Sequence, residues 1–248
     1  MRRKAIVLLA FALFAAPLFG CHGGKRATYD PKFAESFFPL APNSLWTYRI
    51  TSKSQRQTYV VTDQVVGERY IPALNLTGAV VQEYYNMDRG GTRPLVYFIK
   101  DGYLSRLSGL NYSKEAIEAP AWGRSEESEF LPLRVFPDLS WTSKSLPFGH
   151  LAGSFDIAQA HRSFFQDYDV IVPAGSFSGC MRIESRSLYE GGAYASPRNK
   201  NLSLTYEDYY APNVGLIKTV ALEGSADGSE VERVELLKFK IESRAGVS

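Results

Sequence analysis

The stretch Asp167-Tyr168-Asp169-Val170-Ile171-Val172-Pro173-Ala174-Gly175 decides the fold. Side chains of an extended strand alternate between two faces, so Tyr168, Val170 and Val172 share one face while Asp167 and Asp169 share the other. Pro173-Ala174-Gly175 supplies a reversal. After it, Met181 and Ile183 oppose Arg182, Glu184 and Arg186, which is the alternation of a half-buried returning strand.

The same design recurs along the chain. Trp46-Thr47-Tyr48-Arg49-Ile50 alternates apolar with polar, and the run from Tyr59 to Val66 is rich in β-branched residues; the polar segment 52–57 joins them. Two further strands, from Ala79 to Tyr85 and from Leu95 to Ile99, flank the turn Asp88-Arg89-Gly90-Gly91, and Lys100-Asp101-Gly102 turns the chain again into Tyr103 and Leu104. Tyr206 to Tyr210 and Leu216 to Leu222 surround Ala211-Pro212-Asn213-Val214-Gly215. Leu237, Phe239 and Ile241 alternate with Lys238, Lys240 and Glu242 in a closing strand, whose first half, from Val231 to Leu237, also fits a helix.

Between them, residues 108–153 are broken by Pro120, Pro132, Pro137 and Pro147, so loops, a helical turn near 113–118 and a short strand with a buried Trp141 are expected. Phe37, Phe38, Leu40, Leu45 and Trp46, set around Pro39 and Pro42, are expected to plug one edge or end of the core, because the two prolines forbid a regular helix there. No segment has the length and period of the helices an α/β fold needs. The class is therefore all-β: an antiparallel curved sheet or open barrel with short helical insertions, with a two-sheet sandwich as the second choice.

Ahead of this region, Arg2-Arg3-Lys4 precedes an apolar run from Ala5 to Phe19, and Gly20 precedes Cys21. This is the pattern of a bacterial lipoprotein signal, with cleavage between Gly20 and Cys21 and lipid attached to Cys21. Ordinary secretory cleavage and an uncleaved anchor are the alternatives. The expected organisation is a signal peptide over 1–20, a small polar tether over 21–32 and a β-rich region over 33–248. His22 stands where an aspartate would favour inner-membrane retention in enteric sorting, so delivery to the outer membrane is expected.

Removing the signal changes the charge reading. The full chain carries 28 Lys and Arg against 26 Asp and Glu, three of the cations lying in the signal, so the remainder holds 25 against 26. Nucleic acid, which needs a concentrated basic surface, is excluded as a partner. If Cys21 carries lipid, Cys180 has no disulfide partner in the chain and reads as a small buried apolar side chain. No other apolar run approaches bilayer-spanning length.

No motif of enzyme chemistry rises above background. In Gly175-Ser176-Phe177-Ser178-Gly179 the central position, where a nucleophile elbow needs serine, holds Phe177; the segment reads as a hairpin turn. Zincin, paired-cysteine, phosphate-loop and EF-hand spacings are absent. Asp167 with Asp169, and Glu207-Asp208 among Tyr206, Tyr209 and Tyr210, could hold a cation or orient a ligand, but both read better as solvated strand faces. Apart from His22 in the tether, His150 and His161 are the only imidazoles for acid-base or metal work, and no spacing ties them to carboxylates. No catalytic residue, metal ligand or cofactor is expected, and the ligand-binding residues are unknown.

Three separated segments carry a resemblance. Phe38-Pro39-Leu40 with Asn43-Ser44-Leu45-Trp46-Thr47-Tyr48, then Val172-Pro173-Ala174-Gly175-Ser176-Phe177 with Cys180, then Tyr209-Tyr210-Ala211-Pro212-Asn213-Val214-Gly215-Leu216, are similar to a group of bacterial envelope lipoproteins of unknown function. The resemblance implies a β-rich extracytoplasmic region and no catalytic residues. The expected role is non-enzymatic: binding of an apolar or envelope-derived ligand by a protein whose partner is the membrane through its N-terminal lipid. An interaction or assembly subunit with an envelope protein as partner is the first alternative; a hydrolase with an unrecognised site is the second.

Overall fold

The computed structural model describes residues 36–53, 56–71, 75–86, 91–108, 126–133, 139–143, 157–190, 201–224 and 228–242. Among these residues twelve strands run in chain order: β1 (Leu45–Ser52), β2 (Gln57–Ile71), β3 (Leu76–Asn86), β4 (Gly91–Lys100), β5 (Tyr103–Ser108), β6 (Glu126–Pro132), β7 (Ser140–Ser143), β8 (Ile157–Val172), β9 (Gly175–Glu190), β10 (Asn201–Ala211), β11 (Gly215–Glu223) and β12 (Glu230–Lys240). They form one antiparallel sheet in the order β6-β5-β4-β3-β2-β1-β12-β11-β10-β9-β8-β7. Two meanders are thus joined at the middle by pairing of the first strand with the last. The edge strands β6 and β7 approach within 8 Å between Cα atoms, yet no ladder of hydrogen bonds joins them. The fold is all-β, an open curled sheet rather than a two-sheet sandwich. Among the described residues the only helical backbone is the turn at Ser36 and Phe37.

Alternation builds the interior. Trp46, Tyr48 and Ile50 of β1, Val61 and Val65 of β2, Leu95 and Tyr97 of β4, Met181 and Ile183 of β9, and Val234 and Leu236 of β12 belong to one buried cluster that spans both meanders. Filling the space inside with side chains is what stabilises a curled sheet of this kind, at about 25 cal/mol for each Å² of apolar surface removed from water. A smaller cluster, Ile71, Val80, Val96, Phe98 and Leu107, lies on the other face of β2 to β5. Gly78 sits against it. A Cβ there would lie 2.7 Å from Val96 Cγ1 and 2.8 Å from the Tyr97 carbonyl oxygen, so only glycine fits.

Strands β1, β3, β5, β7, β9 and β11 run away from one end of the sheet, and their antiparallel partners run toward it. At that end the fully described turns, β4–β5, β8–β9 and β10–β11, are short. Asp101 and Gly102, with φ of 50° and 82°, make the two-residue β4–β5 turn the sequence anticipates.

Bulges account for the departures from simple parity. The sequence assigns Gly175 to Gly179 to a turn, but the reversal is Pro173-Ala174 alone and Gly175 already begins β9. The register slips around Tyr168, where Asp167 has φ of 66° and Gly179 across from it has φ of 65°. These slips bend the β8–β9 hairpin until its tip reaches β12, where the Ala174 N–H donates to the Leu236 carbonyl at 3.0 Å. The closing strand needs a second correction. From Val231 to Leu237 the chain is strand, and its core residues are Val234 and Leu236, in the opposite phase to Leu237 and Phe239. A slip opposite Thr47 and Tyr48 leaves Leu237 as the extra residue, and the phase switches there.

Candidate functional site

The plugged end of the sheet is assembled from the segments that carry the sequence resemblance. Phe37 is buried and Phe38 packs on Tyr210 with ring centroids 4.8 Å apart. Asn43, with φ of 67°, donates its N–H to the Val65 carbonyl at 2.8 Å, and Val65 returns a bond to the Ser44 carbonyl at 2.9 Å. Ser44 Oγ accepts from the Glu242 N–H at 3.1 Å, which ties the plug to the end of β12. From inside, Trp46 Nε1–H donates to the Val214 carbonyl at 2.6 Å and the Tyr48 hydroxyl to the Leu216 carbonyl at 3.1 Å. The Trp-Thr-Tyr segment and the Ala-Pro-Asn-Val-Gly-Leu turn therefore hold each other across the interior.

Beneath the plug lies a buried charged group. Asp63 of β2 and Glu83 of β3 are direct cross-strand partners, as are Tyr97 of β4 and Arg106 of β5, and all four are buried. Burial pushes the Tyr97 hydroxyl up to about 12; Arg106 opposes that shift, and Glu83 and Asp63 add to it. The Tyr48 hydroxyl is raised well above its ordinary value by burial first and by Asp63 second. Tyr85 donates to Glu83 Oε2 at 3.1 Å. A guanidinium and two carboxylates are thus buried around Tyr97 inside the sheet, beside tyrosines that stay protonated at neutral pH.

Two hollows adjoin this group. A cleft of about 530 Å³ opens at the plugged end, between Phe38 and Leu40 of the plug and Glu68, Gly78, Tyr97 and Ile99 of β2 to β4. Below it a space of about 40 Å³ reaches Trp46, Tyr48 and Asp63, sharing Phe38, Pro39, Leu40 and Tyr97 with the cleft. The lower space is the size of one or a few waters, whereas the cleft falls in the range of small-molecule sites. Space for a ligand lies at the mouth, and the region beneath it is filled by side chains.

Among the described residues, those singled out in the sequence do not assemble elsewhere. Asp167 and Asp169 are exposed, with the β8 register shifts on either side of Tyr168 between them. Glu207 and Asp208 point to opposite faces: Asp208 is buried and accepts from Thr219 Oγ1 at 2.7 Å, while Glu207 accepts from Arg182 at 3.0 Å and from the Tyr209 hydroxyl at 2.9 Å. Arg182 also lies over the Tyr168 ring at 5.0 Å from its centroid, and Lys218 lies 5.5 Å from the Tyr209 centroid. Burial and then Glu207 raise the Tyr209 hydroxyl to about 12. This is a paired outer face, without a cavity among its described residues.

Cys180 is buried and free; burial, with Asp169 second, pushes its thiol up to about 11, which keeps it from acting as a thiolate. His161 is a mid-strand position of β8 opposite Thr142 and Arg186, and Trp141 is buried on β7 as expected. Gly20, Cys21, His22, the tether and His150 lie outside the described residues. Among the described residues no group of three or more His, Cys, Asp or Glu is placed to hold a metal ion.

Sequence reading missed the buried charges, although a signal was present. Asp63 is in phase with Tyr59, Val61 and Val65, and Asp208 with Tyr206, so each carboxylate sits on the apolar stripe of its strand.

Fold and site together define a class: an all-β protein whose single open sheet is curled around a filled interior and plugged at one end by its own N-terminal segment. No family model matches the chain, and no curated protein matches it. Two solved structures are similar to it. One is a "putative lipoprotein" from Parabacteroides distasonis and the other a "putative exported protein with YmcC-like fold" from Bacteroides fragilis; each is 14% identical, matches 82% of this chain and 98% of its own, and has a TM-score of 0.47.

Proposed function

We propose that the chain is an exported envelope protein, anchored through lipid on Cys21, whose role is the non-enzymatic binding of a small apolar or envelope-derived ligand. The observation that carries the binding role is the cleft of about 530 Å³ at the plugged end, lined by Phe38, Pro39, Leu40, Ile99 and Leu104 with Glu68 and Glu242. Apolar walls with a few polar groups are the usual make-up of a small-molecule site. The anchor is supported by the Arg2-Arg3-Lys4 start, the apolar run and Gly20-Cys21.

The binding role is tested with the fluorescent apolar probe N-phenyl-1-naphthylamine. Saturable enhancement is expected with the purified mature protein, displaced by extracted envelope lipid. Thr77 is an exposed residue of the cleft wall, and Thr77→Trp, which fills the cleft, is expected to weaken the probe at least about tenfold without lowering thermal stability. Unsaturable signal, or equal affinity in the variant, would sink the binding role.

The anchor has its own measurement. Detergent-extracted native protein is expected to show an acylated cysteine at its N-terminus, and Cys21→Ala to lose both the acyl mass and membrane retention. An unmodified Cys21 removes the anchor. Recovery of the acylated protein in inner-membrane fractions counts against outer-membrane delivery.

A further inference from the structure

Four exposed apolar side chains share one position in the architecture. Tyr70 of β2 (54% exposed), Ile99 of β4 (59%), Ile171 of β8 (79%) and Phe239 of β12 (39%) are each the penultimate residue of a strand running toward the plugged end. Two other large apolar side chains are exposed among the described residues. Val66 lies at the β2 register shift, and Tyr84 (41%) lies at the opposite end, near the close of β3. The four come from both meanders. Tyr70 pairs across to Thr77 and Ile99 to Leu104, both on the cleft wall, while Phe239 packs on Phe177 at 6.0 Å and Ile171 caps the outside of the bent hairpin. Exposed apolar side chains grouped on one end call for a cover.

Chain connectivity names the cover. Ser36, the first described residue, is at this end, where its carbonyl accepts from the Asn213 N–H. From Ser36 back to Cys21 there are 15 residues, which reach at most about 50 Å when fully extended. A chain anchored at Cys21 is therefore tethered to the lipid from its plugged end and can bring that end to the bilayer surface. The charges around the rim are mixed: Lys100, Lys238 and Lys240 stand against Glu68, Asp101 and Glu242, with Lys240 and Glu242 paired. Among the described residues, a rim of apolar and aromatic side chains with charges of both signs suits the interface of a bilayer, where such side chains sit among headgroups.

We propose that the plugged end is a membrane-docking surface, with Tyr70, Ile99, Ile171 and Phe239 seated at headgroup level and the cleft opening toward the lipid. Its orientation rests on the reading of Cys21 as the anchor, but its test does not. The full mature chain carrying Cys21→Ser, which cannot be acylated, is mixed with phosphatidylethanolamine vesicles, with and without phosphatidylglycerol, and sedimented.

The lipid-free protein is expected to bind both vesicle types, with little change on adding salt. The Ile99→Asp/Ile171→Asp variant is expected to lose affinity at least about a hundredfold, whereas Tyr84→Asp, at the far end, keeps it. Thermal melts establish that each variant is folded; Ile99→Ser and Ile171→Ser, both at exposed positions, replace the double variant if it is not. Failure of the lipid-free protein to sediment, equal loss in Tyr84→Asp, binding abolished by salt, or binding only after an envelope protein fraction is added would each overturn the proposal, the last in favour of a protein partner. An unmodified Cys21 in the native protein beside intact vesicle binding would remove the anchor and leave the docking surface standing. Acylated Cys21 with no vesicle binding would do the reverse.

Discussion

Arg106→Met is expected to lower the unfolding free energy by about 3–5 kcal/mol, because it removes the cation from a buried group and leaves its carboxylates behind. Asp63, Glu83 and Arg106 are all buried, and the space of about 40 Å³ beside Asp63 is too small for bulk solvent to take over from the guanidinium. Methionine keeps most of the side-chain volume, so the loss reports the charge rather than a cavity. Urea unfolding of the variant should show a lower midpoint at unchanged slope. Adding Asp63→Asn to Arg106→Met should recover part of the loss, since the two positions belong to one network and their effects do not add. A loss under about 1 kcal/mol, or full additivity in the double variant, would show that Arg106 does not balance these carboxylates.

Trp46→Ala is expected to cost about 3–5 kcal/mol for the cavity alone. The variant also strips the Val214 carbonyl of its partner in a buried setting, a further penalty of about 1–3 kcal/mol. Trp46→Phe narrows the comparison, since it deletes the N–H but keeps a six-membered ring in the space. Its cost should lie between the second figure and that of Trp46→Ala. The plug packs against the same place: Pro39 Cδ and Trp46 Nε1 both lie within 4 Å of where a Cβ on Gly215 would be. Loss of Trp46 should therefore also raise amide exchange at Asn43 and Asn213, whose N–H groups bond the plug to Val65 and the plug to the β10–β11 turn. Unchanged exchange at both amides would separate the plug from the indole.

The β8–β9 hairpin explains both what the sequence discloses and what it withholds. Its alternation around Val170, Val172, Met181 and Ile183 is local, so it can be read without knowing any neighbour. The bulges at Asp167 and Gly179 are settled by how the hairpin tip must bend to reach Leu236, and no local pattern announces that contact. Leu237 teaches the same lesson. Its phase is right for the end of β12 and wrong for the middle, because a slip against β1, nearly 200 positions away, lies between them. For the candidate site the failure was of another kind. Polar residues on a strand read as its solvated face, yet Asp63, Glu83 and Arg106 are buried around Tyr97 across β2 to β5, and a strand-by-strand reading cannot see what the neighbouring strands enclose.

The pairing of β1 with β12 also sets a timetable. A chain made N-terminus first can close each β1–β6 hairpin as it appears, since those contacts are local. But β1 then waits for its second neighbour until β12 has been synthesised, on the order of ten seconds or more at 5–20 residues per second. Throughout that interval half of the interior, including Trp46, Tyr48 and Ile50, has no opposing wall, and one flank of β1 is an unpaired edge open to the wrong strand. Newly made chains are thus at their most vulnerable until β12 is in place, and loss of β12 would leave the centre of the sheet split rather than its margin frayed.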